Sequence, residues 1–215
     1  MKGEQLYPIF LKLAGQRCLV VGGGAVAQRK IVGLKECGAE ITVVSPKLTP
    51  ELEASARRGE FRYLQRCFQE QDLVGVQLVI CATDDPEVNG KIARMCRDRG
   101  IFVNVVDQPE LSTFFVPAVV RRGPLSISIS TGGTSPLLAR RVRELLENVI
   151  SDELGELAAL LGELRSRVRQ KIPDASQRQA LWEKILTPEL LKTYKPSDGS
   201  SLKEQVEACL SLRSE

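Results

Sequence analysis

The stretch RCLVVGGGAVAQRK, residues 17–30, constrains the fold of this chain more than any other. The continuous apolar run Cys18–Val21 has the pattern of a strand buried on both faces of a parallel sheet. Three glycines then turn the chain, and Val26, Ile31, Leu34 and Cys37 follow at helical spacing until Gly38 closes the helix. A strand that delivers into a glycine turn and then a helix offers unpaired main-chain N–H groups to an anion, and the helix dipole adds about half a positive charge there. Gly22, Gly24 and Ala27 give the GxGxxA form of the dinucleotide fingerprint, whose last position needs only a small residue. Any tight turn can use glycines, so the motif takes its weight from its setting at the start of a βαβ unit.

The same alternation continues. EITVVSP (40–46) reads as a second strand stopped by Pro46, and Thr49 with Pro50 reads as the N-cap and first residue of a helix. EFRYLQR (60–66), VQLVICAT (76–83), a helix over 86–98 and IFVNVV (101–106) complete an α/β pattern, which predicts a Rossmann-type doubly wound parallel sheet over residues 1–112. Residues 113–150 read differently. FFVPAVV and LSISIST flank RRGP, and the serines alternating with Leu125, Ile127 and Ile129 predict a half-exposed antiparallel hairpin, followed by a helix over 136–150. Residues 151–215 predict a C-terminal helical domain. Its first helix carries Leu154, Leu157, Leu161, Leu164 and Val168 and ends before Pro173; shorter helices follow at 176–186 and 202–212, separated by a polar KPSDGSS loop.

Composition excludes several classes of function. A net charge of +3 spread over 215 residues gives no case for nucleic acid, and no apolar run approaches the roughly 20 residues of a membrane span. Met1–Phe10 lacks the pattern of an export signal, so the cytoplasm is the expected compartment. Six cysteines without a CxxC pair read as buried free thiols. Histidine is absent, so acid–base chemistry falls to Asp, Glu, Lys, Tyr or Cys, and no metal-ligand constellation is present. The acid expected about 20 residues after the glycine turn is also missing, its place taken by Ser45, Pro46 and Lys47. Ser45 can bond a ribose hydroxyl and Lys47 can favour a 2′-phosphate, so charge leaves NAD and NADP open.

Four motifs in order, VVGGGAVAQRK, CATDDPEVN, VNVVDQPELSTFFVPAVV and STGGTSPLLARRVRE, resemble the precorrin-2 dehydrogenase and sirohydrochlorin ferrochelatase family, including the N-terminal half of multifunctional siroheme synthases. The resemblance covers about residues 6–190. It implies oxidation of precorrin-2 to sirohydrochlorin with NAD as hydride acceptor. In many members it also implies insertion of ferrous iron to give siroheme, the metal being held transiently by the substrate's own nitrogens. It further implies a homodimer formed through residues 113–150.

By the same resemblance, Ala25, Val26, Pro46 and Lys47 correspond to cofactor contacts, with Thr83 and Asp84 beside the nicotinamide. Asp84 and Asp85 can instead be helix caps ahead of Pro86. Asp107 takes the position of the family's essential aspartate, where partial burial beside the cofactor crevice would raise its proton affinity. Asn104 orients the substrate or Asp107 in this reading. Gly132, Gly133, Thr134, Ser135 and Pro136 form a second small-residue start to a helix, suited to anions, and Thr131 before them sits where some relatives carry a phosphorylatable serine; Thr131, Gly132 and Ser135 are the candidate substrate contacts. Arg140 follows as a candidate grip for the carboxylates of the tetrapyrrole substrate. A second reading from a different class is a non-catalytic NAD-sensing Rossmann module.

Overall fold

Alternate residues of the apolar runs face opposite sides of one sheet, and each side finds its own helices. The structure, a computed structural model, describes residues 5–211 and the side chains of residues 5–208. Five parallel strands, β1 (Arg17–Val21), β2 (Glu40–Val44), β3 (Arg62–Leu64), β4 (Leu78–Cys81) and β5 (Phe102–Val105), lie in the order β3-β2-β1-β4-β5. Cys18 and Val20 of β1 point into a core shared with Ile31 and Leu34 of α1 (Ala25–Glu36) and Leu52 of α2 (Pro50–Arg57). Leu19 and Val21 point the other way, onto Ile92, Ala93 and Cys96 of α3 (Pro86–Asp98). Each fully buried Val, Leu or Ile contributes about 1.5–3 kcal/mol, so both layers are needed to hold so short a sheet.

The strands are shorter than their apolar runs, because register ends where a neighbouring strand stops. Residues 60–66 contribute only the three residues of β3, an edge too short to recruit another chain. The opposite edge is closed chemically. Ser112 and Thr113 run beside β5, their hydroxyls accepting the Val105 and Val103 N–H groups at 2.9 and 2.8 Å. Thr113 N–H returns a bond to the Val103 carbonyl at 2.8 Å.

The described chain divides into two compact units, one ending at Val116 and one starting at Pro117. In the second, β6 (Ala118–Arg122) and β7 (Leu125–Ile129) pair antiparallel from Ala118↔Ile129 to Arg122↔Leu125, as the serine alternation predicts. Helices α4 (Pro136–Glu147) and α5 (Asp152–Lys171) follow. Arg122 staples them: its guanidinium donates to the Ile150 and Glu147 carbonyls at 2.9 and 3.1 Å and to Asp152 at 3.0 Å.

In α5 the buried stripe is Leu157, Leu160, Leu164 and Val168, packed on α6 (Ala175–Ile185) and α8 (Gly199–Ser211). Leu161, expected in that stripe, is only partly buried. The tail is more helical than its polar loop suggests. Thr187 caps a short α7 (Pro188–Thr193), a 3-10 turn occupies Pro196–Asp198, and α8 starts at Gly199 rather than at 202. Among the described residues no helix is long and apolar enough to cross a membrane.

Candidate functional site

Every strand of the parallel sheet delivers a loop at its carboxyl edge, among them Gly22–Gly24 after β1, Ser45–Thr49 after β2, Ala82–Asp85 after β4 and Val106–Gln108 after β5. Strand order reverses between β1 and β4, the position where open α/β sheets bind ligands. The glycine turn sits there. Gly22 has φ 122°, and a Cβ on it would lie 2.2 Å from the Ala82 carbonyl oxygen. A Cβ on Gly23 would lie 2.1 Å from the Lys47 carbonyl oxygen and 2.8 Å from Ser45 Oγ. Both glycines are therefore demanded by the protein's own backbone.

Gly24 is not. Its φ is an ordinary −86°, and a Cβ there would meet nothing within 4 Å. Gly24 is the N-cap of α1, no side chain caps that helix, and its first turn carries no acid. Ala25 and Val26 stand in that first turn, with Ala27 buried beneath them. Open space, uncapped N–H groups and an uncompensated dipole together fit the pyrophosphate of a dinucleotide.

The loop after β2 is tied to this turn. Thr49 N–H donates to the Gly23 carbonyl and Gly22 N–H to the Val44 carbonyl, both at 2.9 Å. Ser45 is buried, and its hydroxyl donates to the Lys47 carbonyl at 2.6 Å, so its proton shapes the loop instead of standing free for a ribose. Pro46 and Lys47 are exposed on that loop.

On the loop after β4, Thr83 Oγ1 donates to Asn89 Oδ1 at 2.8 Å and the Asn89 amide returns a bond to the Thr83 carbonyl at 3.0 Å. Asp85 caps α3, accepting the Glu87 and Val88 N–H groups at 2.9 and 3.2 Å. Asp84 does not cap; it is exposed and unbonded among the described residues. Asn89 was missed by the motif reading, although a polar residue on the apolar stripe of Ala93 and Cys96 is a signal that it holds something.

Asp107 lies one residue past the last sheet bond, Val106 N–H to the Cys81 carbonyl at 2.9 Å. It has φ 60°, the one positive value outside glycine among the described residues. Aspartate tolerates this region better than most residues, but the conformation still costs about 1–2 kcal/mol, and such outliers concentrate at functional sites. The expected partial burial is not found in the single chain. Asp107 follows the last sheet bond, in the turn after β5, and its side chain is exposed. Beside it, Gln108 Oε1 is buried without a hydrogen-bond partner among the described residues. Asn104 is buried in β5 and its amide donates to the Phe114 carbonyl at 3.1 Å, which anchors the segment along the sheet edge.

In the second unit, Thr131 Oγ1 accepts the Ser135 N–H at 3.0 Å, and Ser135 Oγ accepts the Leu138 N–H at 3.2 Å as the cap of α4. Gly132 (φ 60°) and Gly133 (φ 81°) make the left-handed turn between them. Arg140 and Arg141 both bond Glu144, at 3.0 and 2.8 Å, and hold its carboxyl below the usual range, so neither is a bare cation. Burial pushes the thiols of Cys18 and Cys96 up to about 11 and that of Cys81 up to about 12, which makes them inert. Cys37 is half-buried and Cys67 exposed, against the expectation of burial, since both lie beyond the ends of the core elements; the side chain of Cys209 lies outside the described residues. No three His, Cys, Asp or Glu converge on a metal position among the described residues.

A five-stranded parallel sheet with an open glycine turn at its switch point defines an NAD(P)-binding Rossmann domain, and residues 9–118 match the family model described as putative NAD(P)-binding. Residues 122–148 match the central region of sirohaem biosynthesis proteins, and residues 153–207 the sirohaem synthase dimerisation region. The solved structure of SirC, a precorrin-2 dehydrogenase, is 30% identical with a TM-score of 0.78, over 94% of this chain and all of that one. The chain belongs to the family shared by precorrin-2 dehydrogenases and the N-terminal part of siroheme synthases. Siroheme synthases of Methylobacillus flagellatus and Thioalkalivibrio sulfidiphilus are 48% and 41% identical over 83% and 95% of this chain. The chain spans 38% and 42% of their length.

Proposed function

We propose that this chain oxidises precorrin-2 to sirohydrochlorin and then inserts ferrous iron to give siroheme. The observation that carries the reading is Asp107: a carboxylate held in a left-handed turn just after β5, the strand next to β4, at the carboxyl edge of the sheet where the glycine turn also opens. NAD, when bound, supplies the acceptor for the hydride. The main-chain N–H groups of Gly24, Ala25 and Val26 would hold its pyrophosphate, and Pro46 and Lys47 would flank its adenosine side. Thr83, fixed by Asn89, and the carboxylate of Asp84, unbonded among the described residues, would border the nicotinamide. Oxidation releases one hydride and one proton, and Asp107 takes the proton. The same carboxylate accepts pyrrole N–H protons as iron enters, so one site serves both reactions. Asn104 acts on Asp107 through the segment that it anchors.

Anaerobic turnover of precorrin-2 with NAD, followed by ferrous iron, tests this. Asp107→Asn keeps the left-handed turn accessible and removes the base, so oxidation should fall about 100-fold or more with NAD affinity unchanged. Full retention of both activities removes Asp107 from its role. NAD binding without turnover in the unaltered chain would favour a sensor.

A cytoplasmic homodimer completes the proposal. Leu137, Leu138, Leu145 and Val149 are 64%, 54%, 68% and 70% exposed along and just beyond α4, an apolar surface that a second copy would cover. Mass in solution should be that of a dimer, and a stable monomer contradicts it.

A further inference from the structure

The second unit contains a cleft of about 660 Å³ between α5 and α6. Its lining includes Leu161, Gly162, Arg165, Arg169, Arg178 and Trp182. The cations on α5 divide by face. Away from the cleft, Arg167 and Lys171 bond Glu207 at 3.4 and 3.7 Å. On the cleft, Arg165 and Arg169 are exposed, and neither makes an ion pair or hydrogen bond among the described residues. Arg178 is fixed there by the Ile172 carbonyl at 2.8 Å and by the Pro173 carbonyl. Three like charges beside a half-buried indole repel one another unless an anion joins them.

The glycines of α5 give an independent sign. Gly155 is required by packing, since a Cβ on it would lie 2.6 Å from the Arg122 carbonyl oxygen. Gly162 is mid-helix, where glycine is destabilising, and a Cβ on it would meet nothing within 4 Å. Among the described residues no neighbour explains it, and Gly162 lines the cleft. Leu161, partly buried against the core at the edge of the cleft, supplies an apolar wall.

We propose that this cleft binds a planar macrocycle bearing several carboxylates, its ring against Trp182 and Leu161 and its carboxylates on Arg165 and Arg169, in a holding site separate from the catalytic one. The choice of macrocycle rests on the function proposed above; the cleft does not. Arginine grips carboxylates bidentately and an indole face takes a flat ring, a pairing that a solvated charged face lacks.

Calorimetric titration of the full chain with uroporphyrin I, a redox-inert octacarboxylate, tests it, and Trp182, the only tryptophan in the sequence, reports the cleft by its emission. The unaltered chain should bind at a site that Arg165→Ala/Arg169→Ala and Gly162→Leu each weaken about tenfold or more, with NAD affinity unchanged. The first variant removes the charge and the second fills the room, and neither touches the core. Equal binding in both variants overturns the proposal. Benzenehexacarboxylate binding as tightly as uroporphyrin I would overturn the macrocycle assignment, and loss of the dimer in either variant would make the cleft a seam between copies. Should precorrin-2 fail to be oxidised while cleft binding persists, the proposed function falls and the cleft stands.

Discussion

Two glycine-rich turns lead into helices in this chain, and they end differently. At Gly22–Gly24 the first two glycines are forced by the Ala82 and Lys47 carbonyls, while the third faces open space and leaves α1 uncapped. At Thr131–Ser135 the glycines serve a left-handed turn, and the hydroxyls of Thr131 and Ser135 take the N–H groups of Ser135 and Leu138. A helix start that spends its own side chains on its N–H groups has fewer left for a ligand. Small residues before a helix therefore do not by themselves mark an anion site; what distinguishes the first turn is that no side chain among the described residues caps it.

The largest effect should come from Gly22→Ala. A methyl group 2.2 Å from a carbonyl oxygen, at φ 122°, combines overpacking with backbone strain. It should cost about 2–5 kcal/mol in denaturant unfolding. A cost under about 1 kcal/mol would mean that the turn is softer than the packing requires. Gly24→Ala separates ligand from fold. It should weaken NAD about tenfold, or about 1.4 kcal/mol, by placing a methyl where the pyrophosphate approaches. Its effect on stability should stay under about 1 kcal/mol, because its φ suits any residue. Unchanged affinity in calorimetry would remove Gly24 from the site.

The sheet was legible because a strand buried on both faces must be apolar throughout, and Cys18–Val21 and Leu78–Cys81 could hardly be anything else. The Thr49 cap and the 86–98 helix followed from residues whose preferences are local. What escaped was the choice among local partners. The chain offers Ser45 no sign that its hydroxyl turns back on the Lys47 carbonyl, and of the two candidate caps ahead of Pro86 it is Asp85 that takes the N–H groups while Asp84 stays unbonded among the described residues. Asp107 was legible as a position through the family motif, but its left-handed φ is a property of the turn after β5, and its exposure depends on where the sheet bonds stop. The short α7 went unread because its six residues are too few to show a period.

The smallest effect sharpens the comparison most at Ser135. If its hydroxyl only caps α4, Ser135→Ala should cost about 1 kcal/mol, and Ser135→Gly only a few tenths, because glycine is a tolerated N-cap. Thermal unfolding of the pair would then show glycine recovering most of what alanine loses, with turnover of precorrin-2 alike in both. If the hydroxyl also meets a substrate carboxylate, the two variants share one deficit in KM whatever their stability, since both lack the donor. A stability difference without a KM deficit would leave the second turn as a cap and nothing more, and would restrict the anion-binding helix starts of this chain to the one at Gly24.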